Sequence, residues 1–537
     1  MPKLKSIILM MLAMLVVLSA NIKPEEHSSI YSSGSSSSSF DEHLTISIAF
    51  WNIDAAFERA DPVLRKIESK FNITIQPVQI TMADYKQKLQ MWATSGKLPD
   101  VFSHSIASDS PGVYNEWIKH GLIKPLPEDL SLYPNVNSIA QIPDIRLLKE
   151  NNRLYMLPRI GYPTNRLWML ERVVYVRKDW MKDALIRDVA TFEDFSNMLV
   201  TFTNRRSGAG SDQRIVGLTA AGMNYLSWAL SSTFPQFAAG QWVFENNQWI
   251  PYYASAQMEE VVVQLRELYT NGALDQDFYY LKEQDAVTKF AEGQAGALVY
   301  RATPESLRLL EDEWNSHQPG RSFRESVEIL HLWPDEEGKR YYYVAQTYWS
   351  ETFFNSKLSD KKMDRILRLY DYLLSPDGEL LTSYGIEGVD YRMDGEDIVL
   401  TRPLDKATGR PEAITKVYPS LSIFRSLASW GKEADFRLND ANIINYGETN
   451  IRKSLSEMEW QIKNGVATPA YHKINSLSTP AKDRLSAEVD PLEDLIKVII
   501  SDENPVNMWR EYMETYEELG LRDAIREVNA ALSRRDE

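Results

Sequence analysis

The chain has no cysteine, and that absence excludes disulfides, thiolate metal sites and cysteine nucleophiles together. Its unbroken apolar run, Ile7 to Leu18, falls well short of the roughly 18–20 residues that a permanent membrane-spanning helix needs. Lysine and arginine form no block in the body of the chain, and the net charge is −16. Nucleic acid and anionic membrane surfaces both reward clustered cations, so neither is an expected partner. The sequences H-E-x-x-H, G-x-S-x-G, G-x-x-x-x-G-K-[ST] and G-x-G-x-x-G are all missing, and the 7 histidines have no ligand spacing on one helix. Gly208-x-Gly210 lacks a third glycine and a preceding strand, and reads as a plain loop. A pair of glycosidase carboxylates leaves no local signature, so a polysaccharide hydrolase or lyase stays open.

What is present begins at the N-terminus. Lys3 and Lys5 precede the apolar run, which ends in Leu18-Ser19-Ala20, the pattern of an export signal with a small-residue cleavage site over 1–20. Residues 21–43 are rich in serine, too polar to bury much surface, and read as a flexible tether. Leu18-Ser19-Ala20 also resembles the segment before the lipid-modified cysteine of bacterial lipoproteins, but Asn21 stands at that position and carries no thiol to acylate. The expected location is extracellular, at the cell surface, with no lipid anchor.

At 537 residues the chain is too long for one ordinary core. Its 27 tyrosines and 14 tryptophans outweigh its 18 phenylalanines, and rings with a polar edge suit surfaces that hold sugars or peptides. Any single ring is still more often a core residue than a ligand platform. Leu44–Trp51, Asn72–Ile80 and Pro99–Phe102 read as strands, with helices opening at Asp61-Pro62 and running over 83–92. Strand, helix, strand, helix, strand predicts an α/β doubly wound sheet, whose ligands bind beyond the carboxyl ends of the strands. Val173–Val176, Gly296–Tyr300, Glu325–Trp333 and Tyr341–Gln346 read as further strands, and the signals beyond Thr401 are mainly helical.

Six stretches, in order, resemble the extracellular solute-binding proteins of bacterial sugar ABC importers. They are SGKLPDVF at Ser95–Phe102, NRLYMLP at Asn152–Pro158, VYVRKDW at Val174–Trp180 with TFEDF at Thr191–Phe195, FAEGQAG at Phe290–Gly296, SPDG at Ser375–Gly378 and YGIEGVDY at Tyr384–Tyr391. Within that family the chain looks like the large lipoproteins of Paenibacillus-type Gram-positive bacteria. The resemblance implies a two-lobed, periplasmic-binding-protein-like (type II) fold. It implies lobe one from 44–172 with 340–375, and lobe two from 173–339 with 376–537, including a helical C-terminal extension. Crossings are expected near Tyr175, near Tyr343 and between Leu374 and Tyr384. The implied role is to capture an oligosaccharide or related carbohydrate between the lobes and deliver it to a membrane permease, as a monomer, with no cofactor and no catalysis. A ligand-sensing partner of a membrane kinase would share these features.

Strand ends supply the candidate contacts. Trp51, as a platform, with Asn52 and Asp54 follows the first strand, and Ser103 and His104 follow the third. Arg159 and Trp168 lie before the first crossing. Tyr300 and Arg301 follow the Gly296 strand, where resemblance to maltose-binding proteins places an aromatic against the sugar; Tyr348, Trp349 and Glu351 follow the returning strand. Many relatives carry an acidic loop resembling a calcium site, whereas here 204–219 keeps only Asp212 among three arginines. Calcium needs six to eight oxygen ligands, so no metal is expected there.

Overall fold

In the computed structural model the first strands pair as their alternation requires. β1 (Leu44–Ala49) runs parallel to β2 (Ile73–Val78), with Leu44 opposite Ile73 and Ala49 opposite Val78. β1 also runs parallel to β3 (Val101–His104). Pro77 cannot donate to a ladder and sits in β2 at the sheet edge, where no donor is missed. The structure describes residues 40–533 apart from 51–52, 54–56, 58, 79, 82–83, 162–164, 205–213, 236, 238–241, 407–408, 430–432 and 469–471. Residues 1–43 cluster as one unit and Leu44–Glu537 as another. The export signal, nearly all of the tether and most of the 204–219 loop therefore lie outside the described residues.

Helix α1 (Pro62–Phe71) joins β1 to β2. Asp61 caps it, accepting from the Val63 and Leu64 amides at 2.8 and 3.2 Å, and Asn72 ends it in the left-handed region at φ 47°. Its apolar stripe of Val63, Leu64, Ile67 and Phe71 is buried. Helix α2 (Tyr85–Ser95) then leads into β3, and α3 (Pro111–Lys119) follows it. The first sheet is completed by β4 (Met156–Ile160) and, between β3 and β4 and antiparallel to both, β12 (Tyr348–Phe354), giving the order β2-β1-β3-β12-β4.

The second sheet uses the middle of the chain. β5 (Val173–Arg177) lies antiparallel to both β9 (Ala295–Tyr300) and β10 (Val327–Leu330), and β6 (Val216–Thr219) pairs parallel with β9. Each sheet thus contains a strand running against its parallel neighbours, β12 in one and β5 in the other. Those are the strands that enter after the chain has crossed between sheets, at 161–172 and 331–347. Between β6 and β9 lie α4 (Met223–Leu230), the hairpin β7 (Trp242–Glu245) and β8 (Gln248–Pro251), and α5 (Met258–Thr270).

Two expectations need correcting. Tyr341–Gln346 was expected as a strand, but only Tyr341–Tyr342 (β11) is extended in a ladder, and the returning strand proper is β12, so Tyr348, Trp349 and Glu351 lie within it. The chain was also expected to leave the first lobe between Leu374 and Tyr384. Instead α6 (Asp360–Leu373), α7 (Pro376–Tyr384) and α8 (Ser420–Ala428) pack on one another, and α8 packs on β4. The reason is the turn at Ser375-Pro376-Asp377-Gly378. Ser375 Oγ accepts from the Gly378 amide, and a Cβ on Gly378 would stand 2.0 Å from the Tyr372 carbonyl oxygen. That close approach folds α7 back onto α6. Residues from α9 (Pro480–Glu488), α10 (Pro491–Ile500), α11 (Pro505–Glu518) and α12 (Leu521–Ser533) do join the second-sheet core, through Leu485, Leu495, Val498, Trp509 and Ala524.

Candidate ligand-binding cleft

A cavity of about 940 Å³ opens where the two crossings pass between the sheets. Its floor is the crossing segments themselves: Trp168 from one, and Tyr343, Ala345 and Gln346 from the other. Ser108, Asp109, Ser110 and α3 form one wall, while α4, the β7–β8 hairpin and α9 form the opposite one. At this size it stands near the top of the roughly 300–1,000 Å³ typical of small-molecule sites.

The floor is aromatic. The Trp228 and Tyr343 rings lie with centroids 4.5 Å apart, and Trp168 meets them edge-on at 6.1 and 6.3 Å. The Trp168 indole N–H donates to the Gln346 carbonyl at 2.8 Å, so one crossing is bonded to the other. Tyr348 and Trp349 continue the aromatic surface.

Successive residues of a regular strand face opposite ways, so both rings could not share one surface without a break. β12 has that break. Its register to β4 shifts between Tyr348 and Glu351, and Ser350 takes φ 61°, a left-handed conformation that a non-glycine residue adopts only when its surroundings hold it there. Arg159 provides the hold. It is 1% exposed, donates to Ser350 Oγ and to the Ser426 carbonyl, both at 2.6 Å, and lies over the Phe50 and Trp349 rings at 4.7 and 5.9 Å. Burial pushes its guanidinium down to about 10. Arg159 therefore positions the strand that carries Trp349 and does not itself line the cavity.

Glu351 acts in the same indirect way. It is fully buried, and its carboxyl accepts from the amides of Ile106, Ala107 and Ser108 at 2.9, 3.1 and 3.2 Å. Those three donors belong to the loop after β3, so Glu351 shapes the wall that presents Ser108 and Asp109. Burial, with Asp109 nearby, pushes its pKa up to about 8, and the amides oppose that shift.

Tyr85 ties the strand ends from beneath. Its hydroxyl donates to the Ala49 carbonyl at 2.8 Å and accepts from the Ser103 amide at 3.1 Å, and its ring stacks on His104.

Trp168, Tyr348 and Trp349 thus line the cavity. Ser103 is buried and shares a 2.9 Å hydrogen bond with Thr352. His104 borders a smaller hollow beside Lys86, and burial holds its imidazole below the usual range. Tyr300 is packed in the second-sheet core, and Arg301 pairs with Glu283. Neither is among the cavity-lining residues. Trp51, Asn52 and Asp54 lie outside the described residues.

Sequence reasoning missed Trp228, Trp242 and Tyr252, and the whole contribution of α9, because these do not sit at the ends of the parallel strands. Gly112 in α3 marks how closely α9 approaches: a Cβ there would fall 2.6 Å from Asp483 Oδ2. The C-terminal extension therefore builds part of the cleft, through Asn475, Ser478, Lys482 and Asp483.

A family model described as bacterial extracellular solute-binding protein matches residues 63–381. The chain belongs to that family. The solute-binding protein has a curated relative in the polygalacturonan/rhamnogalacturonan-binding protein YtcQ of Bacillus subtilis (strain 168), 21% identical over 346 residues, 64% of this chain and 66% of that one. The match spans just under two thirds of that relative's length. Among solved structures, the alginate-binding protein AlgQ2 without calcium ion superposes with a TM-score of 0.70 at 14% identity, covering 91% of this chain and 98% of that one. The Streptococcus pneumoniae substrate-binding protein FusA in complex with kestose gives 0.68 at 15% identity, covering 92% and 99%. These likenesses establish the fold, the two-lobed one of this class. No helix among the described residues is long and apolar enough to cross a membrane.

Proposed function

We propose that this solute-binding protein captures an oligosaccharide in the cleft between its sheets and delivers it to the membrane permease of an ABC importer. The observation that carries this reading is the cavity of about 940 Å³, floored by Trp168, Trp228 and Tyr343 and walled by amides and hydroxyls together with a few charged side chains. Sugars present C–H faces and hydroxyl edges, so aromatic platforms with amides and hydroxyls around them are the matching chemistry. Relatives named for polygalacturonan, alginate and kestose support a carbohydrate ligand.

In this reading the crossings at 161–172 and 331–347 serve as the hinge. Lobe one takes β1–β4, β12 and the helices through Ala428; lobe two takes the second sheet and the C-terminal helices. Trp168, Tyr348 and Trp349 are ligand platforms, joined by Trp228 and Tyr343. The protein is exported by the segment 1–20, works outside the cell as a monomer, and transforms nothing.

The test is a thermal-shift screen of the mature body against mono- and oligosaccharides, with product analysis of each hit. A ligand at about 100 times its dissociation constant adds roughly 2.7 kcal/mol to stability. A raised melting temperature with the sugar recovered intact is the expected result. Cleaved product would replace this reading with a hydrolase or lyase.

A further inference from the structure

The relatives named above divide by ligand charge: alginate and polygalacturonan are polyuronates, whereas kestose is uncharged. The charges in this cleft bear on which side the present chain falls, and the inference rests on the oligosaccharide reading just given.

Two cations line the cavity among the described residues, Lys86 and Lys482, and no arginine does. Lys482 is already engaged. Its ammonium donates to the carbonyl oxygens of Ile474, Asn475 and Leu477 at 2.8, 3.2 and 2.6 Å, and burial pushes its pKa down to about 8. Its three N–H bonds are spent on backbone, which leaves none to meet a ligand carboxylate. Lys86 is an exposed side chain on α2, and its charge is offset by Asp109, on which it acts across the cavity rim.

Three carboxylates line the same cavity: Asp109, Glu116 and Asp483. Glu116 is exposed and engaged with Lys119 at 3.2 Å and His120 at 3.0 Å. That leaves Asp109, in the loop before α3, and Asp483, on α9 in the opposite wall. Asp483 is half-buried, and burial raises its pKa, so its negative charge is poorly solvated; Asp109 is exposed at the cavity rim. Asp483 accepts from Ser478 Oγ and forms no ion pair among the described residues, although the Lys482 charge lies near it. The remaining polar lining is neutral, including Gln90, Asn115, Asn224 and Gln346.

Recognition of a carboxylate favours the planar fork of an arginine or an unengaged ammonium. A uronate chain in this cleft would find both lysines already facing other groups, Lys86 towards Asp109 and Lys482 on backbone carbonyls, and would meet the carboxylates as like charge. A neutral sugar meets the same two carboxylates as hydrogen-bond acceptors for its hydroxyls. We infer that the cleft selects uncharged oligosaccharides and turns away uronate-bearing ones, with Asp109 and Asp483 as the excluding groups.

Calorimetric titration of the wild-type protein with neutral fructo-, malto-, xylo- and galacto-oligosaccharides, and with oligogalacturonides and alginate oligomers, tests this at low and at physiological salt. Uronates should bind at least about tenfold more weakly than the best neutral sugar, with a gap that narrows as salt screens it. In D109N/D483N the ratio of uronate to neutral affinity should rise several-fold, a readout that survives any loss of affinity common to both ligand classes. Oligogalacturonide or alginate binding as tight as the best neutral sugar overturns the inference and leaves oligosaccharide capture standing. So does an unchanged ratio in a double variant whose circular dichroism matches wild type. Silence from every oligosaccharide, charged or neutral, overturns the capture reading and this inference with it.

Discussion

The two walls of the cleft are held by opposite means. On the first-sheet side, the loop after β3 and the break in β12 rest on buried polar groups: Glu351 under three amides, Arg159 between Ser350 and Ser426, and Tyr85 across two strand ends. On the other side, the helices after Pro480 rest chiefly on apolar packing, with Leu485, Leu495, Val498 and Trp509 in one core with α5 and the second sheet, alongside buried polar bonds at Lys482 and between Tyr516 and Asp494. Apolar packing is strong and tolerant of small shifts; a buried polar network is exacting, because each group left unpaired is penalised. The wall built on hydrogen bonds should therefore fail locally and with altered ligand affinity, and the apolar wall globally.

The largest expected effect is on the apolar side. Trp509→Ala removes a 2% exposed indole and should lower unfolding free energy by about 3–5 kcal/mol, read as a reduced urea midpoint. An effect under about 1 kcal/mol would mean that α11 is dispensable to that core.

Next comes Glu351→Ala, which strands three amides at about 1 kcal/mol or more each and should cost about 3 kcal/mol. Ligand affinity should fall with it, since Ser108 and Asp109 hang from the same loop. Glu351→Gln keeps an acceptor and should be milder. The pair also gives a pH test. The Glu351 pKa in the folded protein, about 8, lies above its ordinary 4.5, so the native state holds the proton more tightly. Its stabilising contribution is full below 4.5 and is lost as pH rises through about 8. Wild type should therefore lose stability relative to E351Q over that window, by denaturant titration at several pH values. Parallel curves would place the proton elsewhere.

The smallest effect should come from Arg159→Met, at about 2 kcal/mol, because methionine fills part of the volume but leaves Ser350 Oγ and the Ser426 carbonyl without their donor. Its signature is specific. With Ser350 no longer held at φ 61°, Trp349 should change its environment, which difference fluorescence against the Trp349→Phe background would detect.

Much of the scaffold was legible. The strand opening at Leu44, the Asp61-Pro62 helix start and the apolar faces around Trp509 and Leu521 each follow from local spacing and are found where the spacing placed them, with β1 ending at Ala49, short of the Trp51 expected. The candidate site was less legible. Strand-end logic led to Arg159 and Glu351 as ligand contacts, and both are buried supports for the residues that line the cavity. A charged residue near a strand end looks the same in sequence whether it faces the cleft or holds up its rim. Trp228 and Tyr343 gave no signal beyond being aromatic, because what makes them a floor is a 4.5 Å encounter between a helix and a crossing segment.

Period and capping determine strand and helix starts, since they depend on residues within one or two turns of each other. Sequence alone thus determined that this chain builds α/β sheets, and its ordered family strings placed those sheets in a solute-binding protein. Only the tertiary structure decided that α7 and α8 stay with the first sheet, that α9 reaches across to Gly112, and that the cleft presents carboxylates with its one buried lysine already engaged. Those outcomes depend on which distant surfaces meet, and burial, pairing and charge at such a meeting are properties of the pair that neither segment carries by itself.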